Sequence, residues 1–344
     1  MRIRWTIAAL ATAALVLVAG CGGDDEGAAP ATSDTQAETA VSEEPLEIAY
    51  LSASTANTWL ASSKEAMEKF AGENNVTLTE FDAQFKLEEQ TKQLQDTIAS
   101  GKYDGIMLVP LGPGLIPDVQ AAVDAGLKVG LLNQVLGDKF DTVEPQVEGV
   151  SVAVLAPPLR SGERLGELAL KACEGKDPCR VVYFYGIKGI PLDVAMKQGF
   201  DAVTSKNPAV EIVAEGQGQY LGPDIGRKEM QDILQKTPDF DVVVGSDQSM
   251  QGAQQALEDA GKLDQVAVIG LGGSEAAIQA VKDGKWFGDV FGAPYTEGEL
   301  AIKGLVDALR NEKDTGGIDP LTTIDDDGLV TKENVAKFES QWAG

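Results

Sequence analysis

The residue types that most often do acid–base or metal chemistry are missing from this chain or badly spaced in it. None of its 344 residues is histidine, which removes the commonest general base, the usual partner of a serine nucleophile and the commonest zinc ligand. Catalysis by Lys, Asp or Glu pairs needs a recognisable constellation, and none is found. Two short motifs invite chemistry and fail on detail. Gly270-Leu271-Gly272-Gly273-Ser274-Glu275 follows an apolar run and opens a helical pattern, as a dinucleotide-binding turn does. Its third glycine position holds Glu275, whose charge would face the pyrophosphate. Asp325-Asp326-Asp327-Gly328 suggests a calcium loop. Placing Gly328 sixth puts Thr323 first and Asn334 twelfth, where Asp and a bidentate Glu are needed, so the run reads as a solvated acidic turn. There is no Gly-x-Ser-x-Gly elbow and no phosphate-loop Gly-Lys-Ser/Thr. The chain reads as a non-enzyme without cofactor or metal.

The cysteines sort by position. Arg2 and Arg4 precede an apolar run over 5–19 and then Gly20-Cys21, the pattern of a secretory signal peptide too short to span a bilayer. Val18-Ala19-Gly20-Cys21 resembles the bacterial lipobox, which implies loss of 1–20 and a lipid on Cys21. Ordinary signal cleavage beside an incidental cysteine is the alternative. Residues 21–45 form an acidic tether without Lys or Arg and with almost no large apolar side chain, a composition that stays disordered. Such a coil holds the body about 25–30 Å from the membrane. Cys173 and Cys179 enclose the turn-like Glu174-Gly175-Lys176-Asp177-Pro178. In an oxidising compartment this pair reads as a small-loop disulfide, with a metal site as the poorer alternative.

The body of the chain repeats one pattern. At 43% hydrophobic content it is globular, and its length allows two domains. With 54 acidic against 28 basic residues its surface repels nucleic-acid phosphates and anionic headgroups, so neither is a partner. The acidity reads as a solvated surface, with a cationic ligand as the alternative. Apolar runs at 46–52, 76–82, 105–109, 128–133, 150–155, 180–185, 210–215, 242–246, 266–271 and 286–291 predict strands buried on both faces of parallel sheets. Helical patterns lie between them at 60–73, 87–100, 116–125, 160–173, 192–206, 225–236, 250–261 and 275–283. Gly126 and Gly261 stand just past two helix ends, where left-handed caps are wanted. Repeated β-α-β order gives right-handed crossovers and doubly wound sheets. The ten strand candidates fit two lobes better than one sheet, with the first break near 146–150. Ligands of such sheets sit beyond the strands' carboxyl ends, so two facing lobes make a cleft.

The residues after those strands carry a resemblance. Ile48-Ala49-Tyr50-Leu51-Ser52 followed by Asn57-Thr58-Trp59-Leu60 resembles the opening of ribose-type periplasmic binding proteins. Residues 105–110, Gly186-Ile187-Lys188-Gly189 running to Gly199-Phe200, Asp247, Val281-Lys282-Asp283-Gly284-Lys285 and Thr331-Lys332-Glu333-Asn334-Val335 follow in family order over essentially 46–342. The resemblance implies an α/β type I periplasmic binding fold, two doubly wound parallel-sheet lobes joined by a three-segment hinge. The lobes would be 46–148 plus 293–322 and 149–292 plus 323–344. It further implies a monomeric extracytoplasmic receptor, lipid-anchored at the outer face of the cytoplasmic membrane or in the periplasm, that closes on a small molecule and docks on an ABC permease. A sensor subunit presenting ligand to a membrane kinase or chemoreceptor is the alternative.

Carried over residue by residue, the family's ligand contacts survive only in part. Asn57 matches an Asn that bonds ligand hydroxyls, and Trp59 stands for an aromatic that stacks on the sugar ring. The family's Asp-Arg pair reads Asn133-Gln134, its second-lobe Arg reads Val194, and the Asn before Asp247 reads Ser246. A later Asp reads Gly272 and the late Gln reads Gly292. Without these charged hydroxyl-binding groups the pocket should be more neutral and roomier, and unsuited to ribose. A neutral sugar, polyol or related ring compound stacked on Trp59, with Tyr220 closing over it, is the expected ligand. The candidate ligand residues are Asn57, Trp59, Asn133, Gln134, Tyr220 and Asp247. Trp59 reads alternatively as a hinge-packing residue, and Asp247 as a helix N-cap.

Overall fold

The computed structural model describes residues 44–344. The signal segment, Cys21 and nearly all of the tether lie outside the described residues. The body holds two six-stranded sheets. The first contains β1 (Leu46–Ser52), β2 (Val76–Asp82), β3 (Gly105–Leu108), β4 (Lys128–Leu132), β5 (Val150–Val154) and β11 (Gly316–Ile318), in the order β11-β5-β4-β3-β1-β2 and parallel throughout. The second contains β6 (Cys179–Tyr185), β7 (Val210–Gln217), β8 (Val242–Val244), β9 (Ala267–Gly272), β10 (Gly288–Phe291) and β12 (Leu329–Thr331), in the order β12-β10-β9-β8-β6-β7. Only its β10–β12 pair is antiparallel.

Helices α1 (Thr58–Glu73), α2 (Leu87–Ser100), α3 (Ile116–Asp124) and α9 (Pro294–Asn311) belong with the first sheet. Helices α4 (Pro158–Ala172), α5 (Pro191–Thr204), α6 (Pro223–Lys236), α7 (Asp247–Asp259) and α8 (Glu275–Lys282) belong with the second. Because helices cover both faces, the side chains of the central strands are buried on both sides, which is why Val242-Val243-Val244 carries no polar alternation.

The chain passes between sheets after β5, after β10 and after β11. The first passage lies later than the sequence suggested. β5 pairs with β4, from Val129 opposite Val150 to Leu132 opposite Val154, so it belongs to the first lobe and not the second. The turn-rich stretch before it imitates a linker but is a loop within one sheet. Three further elements escape the sequence patterns. β11 and β12 are three residues each, too short for periodicity to register. Helix α9 is long but follows β10 after only two residues; it starts at Pro294 and buries Ala301, Ile302, Leu305, Val306 and Ala308 against α1 and the first sheet.

Cys173 and Cys179 are bonded (S–S 2.04 Å), tying the end of α4 to the start of β6. The acidic run near the third passage is not simply solvated. Asp327 is paired with both Arg160 and Arg164 of α4, and Asp326 with Lys337 and Asn334. Its carboxylates therefore fasten the last passage to the second lobe.

Candidate ligand-binding site

The loops after the strands of both lobes converge on a cavity of about 120 Å³ between the sheets, on the order of ten times what one water needs. Its walls are mainly apolar, including Trp59, Phe85, Leu192, Met196, Phe291 and Leu321. Polar groups are sparse: Asn133, Gln134, Ser161, Ser246, Gln248 and Glu297 beside the latch described next. No Lys or Arg among the described residues lines it.

Of the six expected residues, Asn57, Trp59, Asn133, Gln134 and Tyr220 reach this cavity. Asn57 already has two tasks there. Its Oδ1 accepts from the Leu60 N–H, capping α1, and its Nδ2 donates to the Tyr220 carbonyl of the facing lobe at 3.0 Å. One side chain thus starts a helix and latches the lobes together. Tyr220 has a left-handed backbone (φ 56°), and its hydroxyl donates to Asp193, which also accepts from the Gly186 and Ile187 N–H groups. Burial raises the Asp193 carboxyl despite those donors.

The first-lobe wall contains a residue the sequence reading missed. Glu297, in the first turn of α9, is 2% exposed, and its Oε2 accepts from Trp59 Nε1 at 2.9 Å and Asn133 Nδ2 at 3.2 Å. Burial pushes its carboxyl up to about 8, against the two donors, which pull it down. It is therefore a neutral acid at pH 7. A signal was available: Glu297, Ala301, Leu305 and Ala308 share one helical stripe, and the other three are buried.

The pocket is not roomier at the two positions where glycine replaces a family side chain. A Cβ on Gly292 would lie 2.3 Å from the Trp59 ring, and one on Gly272 would lie 2.7 Å from the Trp342 ring. Each indole fills the volume its glycine vacates. The two rings meet edge to face with centroids 5.4 Å apart. Trp342 also donates from Nε1 to the Gly272 carbonyl, and its own carbonyl accepts from the Glu275 N–H. Val194, on the outer side of α5, is exposed and does not line the cavity.

Asp247 must be corrected. It is fully buried behind the second-lobe wall, while its neighbours Ser246 and Gln248 face the cavity. Its Oδ2 accepts from the Ser274 N–H at 2.7 Å, and Asp289 Oδ2 accepts from the Gly273 N–H at 2.9 Å. The two carboxyl groups lie close enough for the charge of one to act on the other, and Oδ1 of each is buried without a partner. Burial raises both, and the mutual charge raises Asp289 further, so the pair retains a proton. The N–H groups that resemble a pyrophosphate cradle are thus filled from within by Asp247, Asp289 and the Trp342 carbonyl.

Two parallel-sheet lobes, three passages between them and a cavity at the strand ends define a solute receptor. Residues 48–313 match the family model described as periplasmic binding protein domain, and the chain belongs to that family, in its sugar-type branch serving ABC transporters. Among curated relatives, the xylitol-binding protein of Mycolicibacterium smegmatis is 27% identical over 81% of this chain and 75% of its own. The ribose import binding protein of Bacillus subtilis is 27% identical over 76% of this chain and 82% of its own. A solved ABC transporter solute-binding protein from Mycobacterium smegmatis with bound glycerol superposes with a TM-score of 0.74 at 26% identity, covering 88% of this chain and all (100%) of that one. Members of this family bind their substrates rather than transform them, and they work outside the cytoplasm. No helix among the described residues is long and apolar enough to cross a membrane.

Proposed function

We propose that this protein captures a small uncharged ring compound or polyol in the cleft and delivers it, as a monomer, to the permease of an ABC importer. A lipid on Cys21 would hold it at the outer face of the membrane. The observation that carries the ligand class is the lining: aromatic and aliphatic walls with amide and hydroxyl groups between them, and no Lys or Arg to neutralise an anion. The xylitol- and ribose-binding relatives and the glycerol-bound neighbour support a hydroxylated ligand. Trp59 from the first lobe and Tyr220 from the second supply aromatic lining, and Asn133 and Gln134 supply amides.

The test is a melting-temperature panel of xylitol, myo-inositol, pentoses, hexoses, nucleosides and small aromatic alcohols. A compound at about a hundred times its dissociation constant stabilises by about 2.7 kcal/mol, a shift of several degrees. Response only to carboxylated or phosphorylated compounds would sink the neutral-ligand reading. For the anchor, Cys21→Ala should move the protein from the membrane fraction to the soluble one; unchanged partitioning would remove the lipid from the account.

A further inference from the structure

The feature of the cleft that ligand recognition by hydroxyl-binding amides does not use is its buried acid. Glu297 Oε2 takes both donors that reach the group, Trp59 Nε1 and Asn133 Nδ2. Its Oε1 has no hydrogen-bond partner among the described residues, in a residue that is 2% exposed and lines the cavity. That division suits a carboxylic acid and not a carboxylate. A carbonyl oxygen with two lone pairs receives two N–H groups, and the remaining O–H is left to donate. A carboxylate would leave an unsatisfied charge in an apolar pocket with no cation beside it, which is far more costly.

Resting on the reading of the cleft as a neutral-solute site, we propose that Glu297 is its specificity-determining residue, donating an O–H from Oε1 to an oxygen of the bound ligand. Trp59 and Asn133 act as positioning residues, because their N–H groups fix which carboxyl oxygen faces the ligand. The same indole that lines the cavity therefore also aims the donor. A ligand with an apolar face and a hydroxyl or ether oxygen at its edge meets both features.

The titratable groups acting on Glu297 from neighbouring elements are Asp319, beyond β11, and the Tyr50 phenol on β1. Asp319 and burial both favour the neutral form, and Tyr50 carries no charge below strongly alkaline pH. Helix α1 contributes Trp59 and the end of β4 contributes Asn133, neither of which titrates. Donation should accordingly fail as the pH rises through about 8.

The experiment is calorimetric titration of wild type, Glu297→Gln and Glu297→Ala with xylitol, myo-inositol and choline, each at pH 6 and pH 9.5. Xylitol or myo-inositol should bind wild type about tenfold more weakly at pH 9.5, and Glu297→Ala about tenfold more weakly at pH 6. Glu297→Gln keeps a donor of similar shape, so it should retain affinity and lose the pH dependence. Affinity indifferent to Glu297→Ala overturns the inference while leaving the receptor reading intact. Choline binding that tightens with pH and vanishes in Glu297→Gln overturns it differently, by making the group a carboxylate in an aromatic cation site. Failure of wild type to bind either neutral probe at pH 6 counts against both readings.

Discussion

Each lobe buries carboxyl groups completely, and the two lobes handle them in opposite ways. In the second lobe Asp247 and Asp289 face each other, take backbone N–H groups from Ser274 and Gly273, and are sealed from the cavity. In the first lobe Glu297 stands alone, takes only side-chain N–H groups, and keeps one oxygen toward the cavity. The difference separates structure from function. What separates them is access: the Asp pair lies behind the wall, although Oδ1 of each also lacks a partner, whereas Glu297 has an oxygen at the cavity wall where a ligand can reach it. Burial and a raised affinity for protons are common to both sites, so neither property alone marks the functional one.

The largest effect that would break this comparison comes from the sealed pair. Asp247→Ala strands the Ser274 N–H in a buried loop, and should cost about 2–3 kcal/mol in urea unfolding. Affinity for a neutral probe should hold, since Asp247 does not reach the cavity. A cost below about 1 kcal/mol, or a collapse of binding in a well-folded variant, would mean that the second site is not the structural one.

Stability against pH sharpens the comparison next. Glu297, and the Asp pair with it, bind protons more tightly in the folded chain than in the unfolded one. Their contribution is complete below about pH 4 and is lost as the pH rises, for Glu297 through about 8. Glu215, held low by its contact with Lys188, acts in the opposite sense and loses its contribution on acidification. Melting temperature should therefore peak on the acid side of neutrality and fall by the equivalent of about 2 kcal/mol toward pH 9. Glu297→Gln should remove the part of the fall that runs from about pH 4 and levels off above about 8. A profile flat from pH 5 to 9 in wild type would show both carboxyl sites ionised at no cost.

The sequence makes the sheets legible and the acids illegible, for a physical reason. The central strands such as β3 and β8 appear as apolar runs because they are covered on both faces, whereas the edge strands β2 and β7 show polar alternation. What fails is whatever depends on partners distant in sequence. β5 cannot announce which sheet it joins, and a three-residue strand such as β11 exists only through its neighbour. Asn57 is recognisable at a helix mouth, yet its bond to the Tyr220 carbonyl spans 163 positions. Glu297 looks like an ordinary acid in a first helical turn, where solvent and the helix dipole favour it. Only the indole and amide converging on it identify it as buried and aimed inward. Asp247 misleads in reverse: a residue just after a strand in the correct lobe points behind the wall because Gly272 and Gly273 let the next loop fold over it.

The smallest effect concerns the residue that touches both regions. Trp342 roofs the sealed site through the Gly272 carbonyl and the Glu275 N–H, and its ring edge supports Trp59, whose own N–H holds Glu297. Trp342→Phe removes one buried donor and some ring volume while the backbone bond to Glu275 survives, so it should cost about 1 kcal/mol or slightly more. If the open site is aimed by Trp59 and Asn133 alone, affinity for a neutral probe at pH 6 should change by no more than about threefold. If instead the Trp59–Trp342 contact is what orients the donor, affinity should fall with stability, and the fall should be absent in a Glu297→Ala background. That second outcome would join the two regions into one device, with the C-terminal segment setting the geometry of the cleft from behind.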